Sequence, residues 1–181
     1  DEAMAGMEEN CPEAIVVAID NGGADRIDEY GPWVNDQYGG GDGGAFAMDL
    51  VNEIKPFVDQ HYRTLPDRQN TGIGGSSLGA LISLYTLLEY PEVFSKALLA
   101  SPAFWFNPEI QDLATSVSPT QNTRFYFFAG ESESPTMVSN MEQARDGLIQ
   151  AGWDGEDMEL ITHSDGQHSE WYWAREYLAA Y

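Results

Sequence analysis

Apolar positions in this chain fall into short continuous runs that alternate with longer stretches of helical spacing. "EAIVVAID", 13–20, is rich in β-branched residues and closes on Asn21-Gly22-Gly23, so it predicts a buried strand and a turn. Residues 2–10 read as the end of a helix, and 21–44 as loop. In "AFAMDLVNEIKPFVDQHY", 45–62, Phe46, Leu50, Ile54, Phe57 and Val58 keep helical spacing, with a kink expected at Pro56. Then follow a short strand in "NTGIGGS", 70–76, an apolar helix in "LGALISLYTLLEY" stopped by Pro91, and a strand in "KALLASP". "RFYFFAG", 124–130, predicts an aromatic strand. "MVSNMEQARDGLIQAG" predicts a helix ending at Gly152, "DMELITHS" a strand, and "EWYWAREYLAAY" a last helix.

Strand and helix in alternation predict an α/β fold, a mostly parallel sheet with helices on both faces. No repeat or linker divides the 181 residues, which suit one domain, 1–181. "GGGDGG", 39–44, is a single copy of a glycine-rich pattern that binds calcium only when stacked in series, so it predicts a glycine loop.

Composition narrows the function classes. Thirty Asp and Glu stand against eight Lys and Arg, a net charge of −22, which repels nucleic acid and anionic membranes. The acids are spread along the chain, which predicts a charged surface suited to concentrated salt and hence a halophilic source. No apolar run reaches the ~20 residues that span a bilayer. Cys11 is alone, so no internal disulfide forms, and no His/Cys cluster has metal-ligand spacing. Neither a metal nor an organic cofactor is expected. "DEAMAGMEEN" is not a signal peptide, which favours the cytoplasm by a small margin. Oligomeric state is not legible.

The chemistry centres on "GGSSLG". Gly-x-Ser-x-Gly between a strand and a helix is a nucleophile elbow, whose sharp turn needs small residues two before and two after the serine. Centring on Ser77 puts Gly75 and Gly79 at those places, whereas centring on Ser76 puts Leu78 at one of them. Ser77 is therefore the expected nucleophile. A serine needs a base, and the base an orienting acid, in the chain order Ser, acid, His. His61 lies upstream on a helix end and His163 inside a strand pattern. His168, in the loop "SDGQHSEW", is the favoured base. Glu131 and Glu133 both follow the aromatic strand, and turn geometry gives Glu133 a small edge; Asp165 sits in the wrong loop.

"IVVAIDNGGADRIDEYGPW", "YRTLPDRQNTGIGGSSLGALISLYTLLEYPEVFSKALLASPAFW", "FYFFAGESES" and "SDGQHSEWYW" together resemble the esterase D-type branch of the α/β-hydrolases. That branch includes siderophore esterases, feruloyl esterases and S-formylglutathione hydrolase. The resemblance implies a three-layer α/β-hydrolase sandwich. It selects Glu133, three residues after Gly130, and supports His168 after Gly166-Gln167. Such relatives carry about three more strands before "IVVAIDNG", so the resemblance implies an N-terminally incomplete domain. It also leaves an oxyanion hole with only the Leu78 N–H assigned. A longer gene product, another chain, or the Asn21-Gly22 loop would supply the second donor. Trp33, Trp105 and Phe106 are candidate substrate walls or plain core, and Arg26 is a structural partner for Glu29 ahead of a contact for an anionic substrate.

The expected activity is hydrolysis of small carboxylic esters through an acyl-enzyme on Ser77. Acyl transfer to another acceptor and a non-catalytic binding role are the alternatives.

Overall fold

The computed structural model describes residues 14–119 and 121–180. Ahead of the sheet lie α1 (Arg26–Tyr30), α2 (Gly43–Asp49) and α3 (Lys55–His61). The sheet and its crossovers follow as β1 (Gly72–Ser76), α4 (Leu78–Glu89), β2 (Lys96–Ala100), α5 (Glu109–Ser116), β3 (Arg124–Gly130), α6 (Met137–Ala151), β4 (Met158–His163) and α7 (Glu170–Ala180). Four strands run parallel in the spatial order β1-β2-β3-β4. A helix lies in each connection between parallel neighbours, because a tight turn cannot reverse the chain there.

Alternation along each strand splits the core in two. Ala97, Leu99, Phe125, Phe127 and Ala129 point to one face, where residues of α4, α5 and α6 cover them. Leu98, Ala100, Tyr126 and Phe128 point to the other, against Tyr172 and Trp173 of α7. The sheet is thus sandwiched between helical layers. Phe127 and Phe128 have no exposed surface, and burying each contributes about 1.5–3 kcal/mol. Gly152, at φ +104, ends α6 in the left-handed conformation where a side chain would be strained.

The structure departs from expectation in four places. First, the described part of 13–20 is not a strand, and Ile15, Val16 and Val17 are 50%, 55% and 46% exposed. β-propensity gives a strand only where a ladder partner exists. Here the outer edge of β1 makes no ladder with any described segment. Second, 21–44 is not all loop, since it holds a 3-10 turn (Gly23–Asp25) and α1. Third, the irregularity expected at Pro56 is a π-helical turn, Leu50–Ile54, placed just before it. The Lys55 N–H there reaches back to the Leu50 carbonyl. Fourth, α5 was not anticipated; its buried face consists only of Ile110 and Ala114, too sparse a pattern to read. The helix expected over 2–10 and Cys11 lie outside the described residues.

Parallel strands also share one carboxyl-terminal edge. Ser76, Ala100, Gly130 and His163 end the four strands, and open α/β sheets bind ligands at that edge.

Candidate active site

Ser77 links β1 to α4 at φ +56, ψ −121, a positive-φ conformation outside the left-handed helical well that costs a serine about 1–3 kcal/mol and raises its side chain off the sheet. The turn is held from outside: the Ser77 N–H donates to the Ala100 carbonyl at 2.9 Å, and the Ser77 carbonyl accepts from Ala103 at 3.1 Å. A Cβ on Gly75 would lie 2.6 Å from the Gly79 backbone. A Cβ on Gly79 would meet nothing within 4 Å, so the steric demand falls on Gly75 alone.

Three predicted residues meet in one hydrogen-bonded line. His168 Nε2 lies 3.0 Å from Ser77 Oγ, and His168 Nδ1 lies 2.8 Å from Glu133 Oε2. The Glu133 side chain is 1% exposed and that of His168 41%. Burial alone would push the Glu133 carboxyl up. Hydrogen bonds from His168, the Gly130 N–H and Ser101 outweigh it and hold the group below the usual carboxylate range. An ionised acid therefore faces Nδ1, which fixes the proton there and leaves Nε2 to accept from the serine.

The rival residues lie elsewhere. His163 Nδ1 faces the Tyr172 hydroxyl at 3.1 Å, with Glu176 at 3.7 Å. His61 Nδ1 contacts the Phe57 carbonyl at 2.7 Å on an exposed helix end. Glu131 Oε1 accepts from Thr162 Oγ1 at 3.2 Å. Arg26 stacks over Tyr30 rather than pairing with Glu29, whose carboxylate accepts from the Gly22 N–H at 2.7 Å. That contact bears on the oxyanion hole. The Gly22 and Gly23 N–H groups are both engaged, by Glu29 and by Asn21 Oδ1 at 3.0 Å, so neither is a free donor. The Leu78 N–H begins α4, where no intrahelical acceptor exists.

Of the candidate walls, Phe106 is 3% exposed and Trp105 51%, with ring centroids 5.9 Å apart. Trp33 is half-buried edge-on to Tyr85, and Asn107 binds its backbone. Phe106 thus packs into the core, and Trp105 offers the open aromatic surface. Sequence reasoning missed Ser101 and Trp173, which contact the Glu133–His168 pair directly. A serine closing the run "KALLAS" at a strand's carboxyl end was the available signal.

The family described as "Putative esterase" matches residues 2–176. YbbA, an uncharacterized protein of Bacillus subtilis, is 24% identical over 97% of this chain and 75% of its own length. The iron(III) salmochelin esterase of Escherichia coli O6:H1 is 29% identical over 58% of this chain, which spans only 29% of that enzyme. Among solved structures, an IroE-like serine hydrolase from Shewanella oneidensis superposes with a TM-score of 0.70 at 17% identity, covering 86% of this chain and 55% of the other. The enterobactin esterase of Shigella flexneri gives 0.64 at 20% identity, covering 75% and 37%. These likenesses show the fold. Much of each siderophore esterase has no counterpart in this chain.

Proposed function

The chain belongs to this esterase family, and from that premise we propose that it hydrolyses carboxylic esters through an acyl-enzyme on Ser77. The observation that carries the reading is the unbroken line from Ser77 Oγ through His168 to Glu133 at 3.0 and 2.8 Å. Ser77 Oγ attacks the ester carbonyl while His168 Nε2 takes its proton. The tetrahedral oxyanion is met by the Leu78 N–H. Collapse breaks the ester C–O bond, and His168 returns the proton to the departing alcohol. Water, deprotonated by the same nitrogen, then releases the acid and restores Ser77. Glu133 stays ionised throughout and stabilises the imidazolium.

The 41% exposure of the His168 side chain favours water as the second acceptor, hence hydrolysis over acyl transfer. A lone oxyanion donor lowers the rate by roughly 10²–10³-fold relative to a pair, so the second donor must come from outside the Gly22 and Gly23 amides. Two of the named relatives are a salmochelin esterase and an enterobactin esterase, and the family resemblance extends to feruloyl esterases. Catecholoyl and feruloyl esters therefore lead the substrate panel, with short nitrophenyl esters as a generic comparison.

The test is a fluorophosphonate probe followed by mapping of the adduct. A single adduct on Ser77, absent from Ser77→Ala, is the expected result. A folded protein that stays unlabelled would overturn the reading and leave a non-catalytic role for the fold.

A further inference from the structure

Only one carboxylate oxygen of Glu133 faces His168. The other, Oε1, accepts from Ser101 Oγ at 2.8 Å and from the Gly130 N–H at 2.7 Å. Ser101 has no exposed surface, and its Oγ accepts the Trp173 Nε1–H at 2.8 Å. An indole N–H only donates and a carboxylate only accepts. The Ser101 proton must therefore point at Glu133, giving a one-way line of donors from Trp173 to Ser101 to Glu133. The same indole stands against His168, with ring centroids 5.0 Å apart at 84°.

Backbone strain falls in the same place. Ser77 and Ser101, at φ +56 and +43, are the non-glycine residues with positive φ among the described residues. Such a conformation persists only where its surroundings over-determine it. At Ser101 the N–H donates to the Phe128 carbonyl at 2.7 Å, and the neighbouring Ala100 carbonyl holds the elbow. The tail of β2 thus joins the nucleophile's turn to the strand that carries the acid.

We infer that Ser101 and Trp173 are positioning residues, which hold Glu133 in the rotamer that aims Oε2 at His168 Nδ1. Their effect on rate rests on the esterase reading above; their effect on the His168–Glu133 pair does not. The acid limb of activity belongs to that pair as a unit. Without the Ser101 donor, more of the carboxylate's charge faces the imidazole and the pair holds its proton more tightly, so the limb moves to higher pH. The other titratable neighbours are Tyr172 of α7 and, bonded to it, His163 of β4, with Glu176 and Arg175 beyond. Burial and the nearby Glu176 and Glu133 charges push the Tyr172 hydroxyl well above the ordinary phenol range, so it stays neutral. The remainder are present in every variant and cancel from the comparison.

The test compares Ser101→Gly, which removes the hydroxyl while relieving the left-handed φ, with Trp173→Phe, which keeps a ring and removes the donor. For Ser101→Gly, Ser77 labelling by the fluorophosphonate should slow roughly 10-fold at neutral pH and its acid limb should rise by about half a unit or more. Trp173→Phe should move both in the same direction by less. The downfield Nδ1 proton of His168, read by NMR, should broaden in Ser101→Gly. A folded Ser101→Gly with unchanged labelling rate, acid limb and resonance would overturn the inference; if that variant does not fold, Trp173→Phe decides by the same readouts. An unaltered protein that resists labelling, yet whose His168 resonance responds to Ser101→Gly, would sink the esterase reading and leave the positioning role standing.

Discussion

Gly130→Ala should uncouple the acid from the base. Gly130 ends β3 and Gly166 lies in the loop after β4, and their backbones touch. A Cβ on Gly130 would lie 2.1 Å from the Gly166 oxygen and 2.3 Å from its carbonyl carbon. Backbone cannot swing aside as a side chain does, so the two segments must part by roughly 1 Å to restore van der Waals contact. Glu133 follows Gly130 by three residues and His168 follows Gly166 by two, so each travels with its own segment. The 2.8 Å bond between them then stretches to roughly 3.8 Å, outside hydrogen-bond range. A 1 Å misplacement costs about 10²-fold in rate, and overpacking of this kind costs about 1–3 kcal/mol of stability. For a chain of this length that lowers Tm by roughly 2–12 °C. The assay is Ser77 labelling rate together with a thermal melt. Gly79→Ala serves as the control, since its Cβ meets nothing and the elbow should label within about threefold of the unaltered protein. Gly130→Ala that labels as fast as Gly79→Ala, with an unchanged melt, would refute the reasoning.

Four further outcomes are expected. Glu133→Gln should lower kcat by about 10⁴-fold with little change in KM, because the neutral amide no longer stabilises the imidazolium. Since the Glu133 carboxyl is held low in the fold, its stabilisation is present above the ordinary carboxylate range and is lost as pH falls through the lower folded value; melts across the acid range should flatten in Glu133→Gln. Arg68 is buried ahead of β1 and donates to the Pro91 carbonyl at 2.6 Å, the Asn122 carbonyl at 2.8 Å and Thr123 Oγ1 at 2.5 Å. Arg68→Met should cost about 3 kcal/mol in a denaturant titration while leaving Ser77 labelling unchanged, because these contacts lie at the opposite end of the sheet. Finally, a net charge of −22 should make Tm climb as KCl rises from about 0.1 to 2 M; a flat response would mean the acids do not repel one another appreciably.

What was legible in the sequence was whatever short-range chemistry decides. β3 announces itself as six consecutive buried or half-buried positions after Arg124, and α6 by a periodic apolar face that stops at Gly152. Ser77 was singled out because centring the motif there puts Gly79, not Leu78, two residues after the serine, although the close approach in the structure is at Gly75. The segment 13–20 misled because a strand is a relation between two chains of backbone, and its composition says nothing about the partner. Ser101 and Trp173 stayed hidden for a similar reason. Their contacts with Glu133 and with each other span 32 and 72 residues, and no spacing rule predicts a hydroxyl's direction across such distances.

Those sequence distances also order events in time. The Glu133–His168 contact closes 35 residues and the Ser77–His168 contact 91. By loop entropy alone the longer closure costs ~0.8 kcal/mol more. The acid and base can therefore pair while the nucleophile is still apart, and long-range closures come late in folding. A reactive Ser77 is then a property of the finished molecule. In a refolding experiment, pulses of fluorophosphonate should label nothing until the slowest phase is complete, which turns the chemistry of one serine into a clock for the whole chain.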